Sequence, residues 1–197
     1  NPQQIEKPQS QWLIPSTHRS RKNHDKHGLR PVIWADLDNP TTTIEQTADI
    51  VRGIIGGCDF EVYASSSATA DKQKCRILVP VKRGMPPGQW LLVSEVFLAK
   101  LEAAGIEADP ASKVLGQVLY LPNRGKFYGK ASARNGDLFE PLDTWGLEIE
   151  QRAAELKRQA EEQKQAQEAA RTRREALSAS RSTSGFRSPI EAFNAAY

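Results

Sequence analysis

Apolar and polar positions along the chain switch between two periods, and the switches mark out the elements. Val32-Ile-Trp-Ala-Asp-Leu-Asp38 is mostly apolar, ends in two aspartates and is broken by Asn39-Pro40, which predicts a buried strand. Thr42, with Glu45 three residues on, reads as a capping box. Ile44, Ala48, Val51 and Ile55 then recur at helical spacing until Gly56-Gly57 stops the helix. Phe60, Val62 and Ala64 alternate as a second strand, and residues 75–81 give a third. Trp90, Val93, Phe97, Leu101 and Ala104 form one helical stripe that ends at Gly105. Residues 118–121 are a fourth short strand, stopped by Pro122. The predicted order is β-α-β-β-α-β.

That order is the split βαβ, or ferredoxin-like, arrangement shared by RNA-recognition modules and polymerase palms. The expected fold class is therefore α+β, an RRM-like palm followed by a long charged helix. The change of character comes after about residue 142. Residues 148–177 are Ala, Glu, Gln, Lys and Arg without Gly or Pro, which favours helix, and Glu148 and Arg152 stand at the i,i+4 spacing of an ion pair. Leu147, Leu156 and scattered alanines make no sustained seam, so the segment reads as a solvated spacer rather than a coiled coil. Residues 178–188 are rich in Ser and Arg, and Ser188-Pro-Ile-Glu191 is a further capping box. The expected organisation is a globular unit at 1–142, a helical spacer at 143–177, and at 178–197 a linker opening a further module.

Composition supports that division. Of 14 aromatic residues, 11 precede position 146 and none lies between 146 and 185. No apolar run is long enough to span a membrane, and two cysteines, Cys58 and Cys75, make neither a disulfide framework nor a CxxC pair, which points to a reduced, cytoplasmic setting. The net charge is +3. Residues 1–30 carry six basic and two acidic side chains, whereas residues 148–175 are balanced, so the basic bias sits on the globular half. A basic face suits a phosphate-bearing partner or is simply solvated.

Asp36 and Asp38 are the sharpest feature. At i and i+2 on a strand they point to the same face, where they repel unless a cation lies between them. Hard oxygen ligands of this kind suit Mg2+ or Mn2+ bridged to phosphate; the alternative is two solvent-facing carboxylates at a strand end. In a split βαβ the first and third strands are central neighbours, and the third carries Arg76 with Lys72 and Lys74 just before it. Cations beside a carboxylate pair are what a triphosphate needs. Ser65, Ser66, Ser67 and Thr69 in the preceding loop can bond phosphate, and Asp109 ahead of the fourth strand can supply a third carboxylate or simply exit a helix before Pro110.

Val-Ile-Trp-Ala-Asp36-Leu-Asp38, Tyr63-Ala-Ser-Ser-Ser-Ala-Thr69, Lys74-Cys-Arg76-Ile-Leu-Val-Pro80 and Gln117-Val-Leu-Tyr-Leu-Pro-Asn123 resemble phage- and plasmid-type members of the archaeo-eukaryotic primase superfamily. The resemblance covers roughly residues 12–130. It implies nucleotidyl transfer in phage or plasmid replication by a two-metal mechanism, with Asp36, Asp38 and Asp109 as catalytic metal ligands for Mg2+ or Mn2+. It further implies nucleoside triphosphate contacts from Ser65, Ser67, Lys74 and Arg76, a single-stranded DNA template, and a helicase module in the same polypeptide. The family's second motif, Ser-x-His, is absent: no histidine follows His27, and Ala68 or its neighbours stand where it belongs. Either Lys74 and Arg76 take over the nucleotide, or the domain is a catalytically degenerate RRM-like single-strand binder.

Two segments remain. His18, His24 and His27 lie in a basic stretch before the first strand, with no cysteine at zinc-site spacing, and read as a polar, template-facing loop. Arg124, Lys126, Phe127 and Tyr128 follow the fourth strand and mix cations with aromatics, a composition for contacting a single strand or for a Gly-rich hairpin. A rolling-circle nicking enzyme on a similar fold requires a His-hydrophobe-His metal pair, which is missing.

Overall fold

A computed structural model of the chain describes residues 4–20 and 22–183. Its strands are β1 (Trp12–Leu13), β2 (Arg30–Leu37), β3 (Phe60–Ala64), β4 (Cys75–Met85), β5 (Leu119–Tyr120) and β6 (Lys130–Ala133). Its helices are α1 (Ile44–Ile55), α2 (Pro87–Ala103), the single turn α3 (Pro141–Thr144) and α4 (Gly146–Thr183). The mixed α+β class and the long carboxy-terminal helix follow the sequence expectation. β2, β4, β3 and β6 form one antiparallel sheet in that order, and β1 pairs with β5 in a separate two-stranded sheet.

The core lies between the larger sheet and helices α1 and α2. Ile33, Ala35 and Leu37 of β2, Ile77 and Val79 of β4, and Val62 and Ala64 of β3 are each fully buried, as period-2 alternation requires. Ile44, Ala48, Val51 and Ile55 of α1 and Trp90, Val93, Phe97 and Leu101 of α2 face them. The Trp90 indole donates to the Val32 carbonyl at 2.9 Å, so this large ring is buried with its polar atom satisfied. Helix α1 begins one residue later than the pattern suggested. Thr43, not Thr42, is the cap: its hydroxyl accepts from Gln46 N while the Gln46 side chain accepts from Thr43 N. Thr42 instead bonds the Thr47 hydroxyl at 2.8 Å.

The fourth strand differs more. Residues 118–121 yield only the two-residue β5, which pairs with β1 and not with β2. The edge of β2 is taken by a 3-10 turn at Pro110–Lys113: Asp109 N donates to Asp36 O at 2.8 Å, and Asp36 N donates to Ser112 Oγ at 2.9 Å. Pro110 and the capping carboxylate of Asp109 fold this stretch as a turn, so it cannot extend beside β2. The fourth place in the sheet goes to β6, on the far side of β3. β2 is thus an edge strand, although it remains the neighbour of β4 as expected.

The chain divides into a compact unit ending at Arg152 and a second unit from Ala153 onward. The first therefore runs past residue 142, because Trp145 is buried against Phe139 and Phe97, with ring centroids 4.7 and 6.2 Å away, and Ile149 is buried one turn later. Glu148 accepts from Lys100 at 2.9 Å and Arg152 donates to Glu95 at 2.6 Å, both on α2. Residues 161–178 of α4 are exposed throughout. The helix runs to Thr183, so the first residues of the expected Ser/Arg linker are helical; the capping box at Ser188 lies outside the described residues. No helix among the described residues is long and apolar enough to cross a membrane.

Candidate active site

The antiparallel register builds the site. Asp36 stands opposite Arg76, Arg76 opposite Tyr63, and Tyr63 opposite Lys130, so one row crosses the whole sheet. Their strand neighbours Ala35, Leu37, Cys75, Ile77, Val62 and Ala64 fill the helix side. The row therefore lies on the face turned away from the helices.

Arg76 donates to one oxygen of Asp36 from both Nε (3.1 Å) and Nη2 (2.9 Å), with the Tyr120 ring 5.9 Å from its guanidinium carbon. The Tyr63 hydroxyl donates to the Tyr120 carbonyl at 2.7 Å, which fastens β5 over the open face. Asp38, just past the end of β2, bonds Lys74 Nζ at 3.2 Å. Asp109 accepts from Ala111 N at 2.8 Å, so it caps its own turn while its backbone holds Asp36. Ser65 donates from its backbone to Lys74 O, and the hydroxyls of Ser65 and Ser67 are 3.3 Å apart. Gly125 presses on this loop so closely that an added Cβ would lie 2.0 Å from Ser66 O.

A polar cavity of about 230 Å3 gathers Asp36, Asp38, Asp109, Ser65, Ser66, Ser67 and Arg76. Lys74 does not line it and stays at its rim, on Asp38. Sequence reasoning missed Ser10, Tyr120 and Asn123, which line the cavity together with Gln117, Val118 and Leu121. Asn123 is buried, accepts from Ile5 N and donates to Ile5 O and to Ser10 Oγ, which straps the amino-terminal segment to the site. Its one signal was its place directly after the strand-ending Pro122. A second cavity, about 600 Å3, shares Ser10, Leu121 and Asn123 with the first and is lined by Arg124 and Tyr128, whose guanidinium and ring are 5.7 Å apart. Lys126 is exposed, and Phe127 turns inward to pack against the core.

Burial holds the Asp36 carboxyl above its ordinary range; Arg76 pulls it down, and the charges of Asp38 and Asp109 push it up again. These three carboxylates are hard oxygen donors suited to Mg2+ or Mn2+. Among the described residues no three His, Cys, Asp or Glu side chains form a ready metal cage. A Mg2+-type site fits such a sparse set, since that ion is commonly held by one or two carboxylates and completes its shell from water and phosphate. A cysteine nucleophile is excluded at Cys75, whose buried thiol is pushed up to about 12.

No protein-family model and no curated protein matches the chain. Among solved structures, the AEP domain of the cyanophage S-2L primase-polymerase is similar to it, with a TM-score of 0.49 at 12% identity, over 70% of this chain and 69% of that one. At that level of likeness no residue role is carried across.

Proposed function

We propose that this domain is a DNA primase-polymerase-type nucleotidyltransferase acting on a single-stranded DNA template, as in phage or plasmid replication. The observation that supports it is the single cavity in which three aspartates, three serines and an arginine converge. A bound divalent cation would favour ionisation of the primer hydroxyl and neutralise the leaving pyrophosphate. Asp36 and Asp38 would hold that cation, with Asp109 as the third carboxylate. Arg76, which bonds Asp36, would turn to phosphate oxygens through charge-assisted bonds if Asp36 held a cation. The hydroxyls of Ser65 and Ser67 bond the remaining phosphate oxygens, and Lys74 contributes charge from the rim. Arg124 and Tyr128 in the adjoining cavity face the strand.

The Asp36–Arg76 pair also favours a second reading. It is complete without a metal, as in a degenerate single-strand binder that keeps the fold and has lost turnover. Primer extension with Mn2+, a primed template and deoxynucleoside triphosphates separates the two. Extension that disappears in Asp36→Asn supports transfer; single-strand binding with no extension and no triphosphate binding supports the degenerate binder.

A further inference from the structure

Residues 16–20 and 22–28 lie in the connection between β1 and β2, around a cation that has no counter-ion among the described residues. Arg30 is 1% exposed. Its Nη1 donates to Ser16 Oγ at 2.9 Å and to the carbonyls of His27 and Gly28 at 3.2 Å, and its Nη2 donates to the carbonyl of His24. Among the described residues no carboxylate pairs with it, and its Nε has no partner. The loop is fastened at its stem as well, where Thr17 N donates to Leu29 O and Leu29 N to Thr17 Oγ1. Gly28, at φ +82, could not be another residue without a clash, because a Cβ would meet Ser16 Oγ at 2.5 Å and His18 N at 2.7 Å.

On this scaffold Arg19, Lys22 and Lys26 are exposed and form no ion pair among the described residues. Most other cations of the compact unit are paired: Arg52, Lys74, Arg76, Arg83, Lys100, Lys113, Lys130, Arg134 and Arg152 all meet carboxylates. A buried, uncompensated guanidinium beneath three free cations is a costly arrangement for stability. It does, however, raise the positive potential above the loop. The charges are spread over several residues on an open surface, not collected in a pocket, which fits a chain of phosphates better than a single phosphate group. The loop also adjoins the site, since the His24 ring packs at Gly116, next to Gln117 and Val118 of the cavity wall.

We infer that the loop ahead of β2, at residues 16–20 and 22–28, is a preorganised clamp for the phosphate backbone of the strand that enters the cavity, with Arg19, Lys22 and Lys26 as its contacts and Arg30 as its positioning residue. The identity of the partner rests on the nucleotidyl-transfer reading; the clamp itself does not need turnover.

The test is a titration of the full chain with labelled oligo(dT) across a series of salt concentrations, without divalent cation. Each phosphate contact to a single strand contributes about 0.7 to the slope of log affinity against log salt. Replacing Arg19, Lys22 and Lys26 together by Gln should therefore flatten the slope by about two and weaken binding on the order of a hundredfold at 0.1 M salt. The same triple change at Arg158, Lys164 and Arg171 on α4 should alter neither. Gly28→Ala, which keeps every charge but strains the loop that holds Arg30, should lower the melting temperature and, at temperatures where the variant is still folded, weaken binding. An unaltered slope in the loop variant overturns the clamp, and so does binding to anionic lipid vesicles in place of the oligonucleotide. Calorimetry with Mn2+ and deoxynucleoside triphosphate keeps the two readings apart: loop variants should bind the nucleotide as wild type does. A wild type that grips oligo(dT) through the loop yet binds no nucleotide would sink the transfer reading and leave the clamp standing.

Discussion

At Asp36, burial opposes the charge that the site presents. Its carboxyl is held above the unfolded value of 3.8, chiefly by burial. A group raised in the folded state adds stability while protonated, and that contribution is lost as pH rises through the folded pKa. At neutral pH its charge is a cost, so Asp36→Asn should keep or raise the melting temperature while abolishing Mn2+ binding. A melt several degrees early would show instead that the pair with Arg76 dominates. Arg76 poses the complementary question. If it serves phosphate, Arg76→Ala should weaken nucleotide binding about ten- to a hundredfold, the value of one or two charge-assisted bonds, while Arg173→Ala on α4 should do nothing. A variant that melts early yet binds nucleotide normally would reduce Arg76 to a structural partner of Asp36. These two residues were legible in the sequence because i,i+2 carboxylates on a strand and a cation on its neighbour share a face whatever the strand ends are. Asn123 and Tyr120 were not, since their role depends on which loop folds back over the sheet.

Elements were legible wherever their own residues set them and obscure where a partner did. α1 was visible in its stripe, with an error of one residue at the cap because Thr42 and Thr43 are equivalent by type, and only the bond to Gln46 chooses between them. β6 was invisible: Lys-Ala-Ser-Ala has no β-branched or aromatic residue, and it is a strand because Phe60–Ala64 offers it an edge. The start of α4 was placed outside the unit because its apolar positions are sparse, yet Ile149 alone anchors a turn. Truncation after Arg152 should therefore leave the melting temperature within a degree or two. Truncation after Trp145 removes Ile149 and two ion pairs to α2; at roughly 1.5–3 kcal/mol for a buried Ile and about 2–4 °C per kcal/mol, it should lower the melting temperature by about 3–12 °C. Equal melting of the two truncations would return the boundary to residue 142. The loop ahead of β2 carries its own signature in acid. Burial lowers the pKa of His24 from 6.5, and the charges of Arg30 and His18 lower it further. The unfolded chain takes up that proton first, so stability is full above 6.5 and falls as pH drops below it. Melting temperature should decline between pH 7 and pH 5.5, and His24→Leu should flatten the decline; an identical slope in both proteins would place the acid sensitivity elsewhere.

Over the whole molecule, charge is arranged by use. Residues 148–175 of α4 carry no net charge, while the amino-terminal thirty residues carry a basic excess and reach the cavity wall through His24, which packs at Gly116. The same economy appears at the borders of the sheet. An unpaired strand edge is a template on which a second copy can add a strand, and exposed edges are where β proteins begin to aggregate. β6 is four residues long, begins with Lys130 and is followed by Arg134, which discourages such addition. β2 is longer and more apolar, and so the greater hazard, but the turn that presents Asp109 also occupies both backbone groups of Asp36. A domain that must keep a hydrophobic strand at its rim to display a carboxylate thereby closes the rim with the segment that supplies another carboxylate. Changes that loosen Ser112 or Pro110 would damage the site and, by the same stroke, open the chain to self-association.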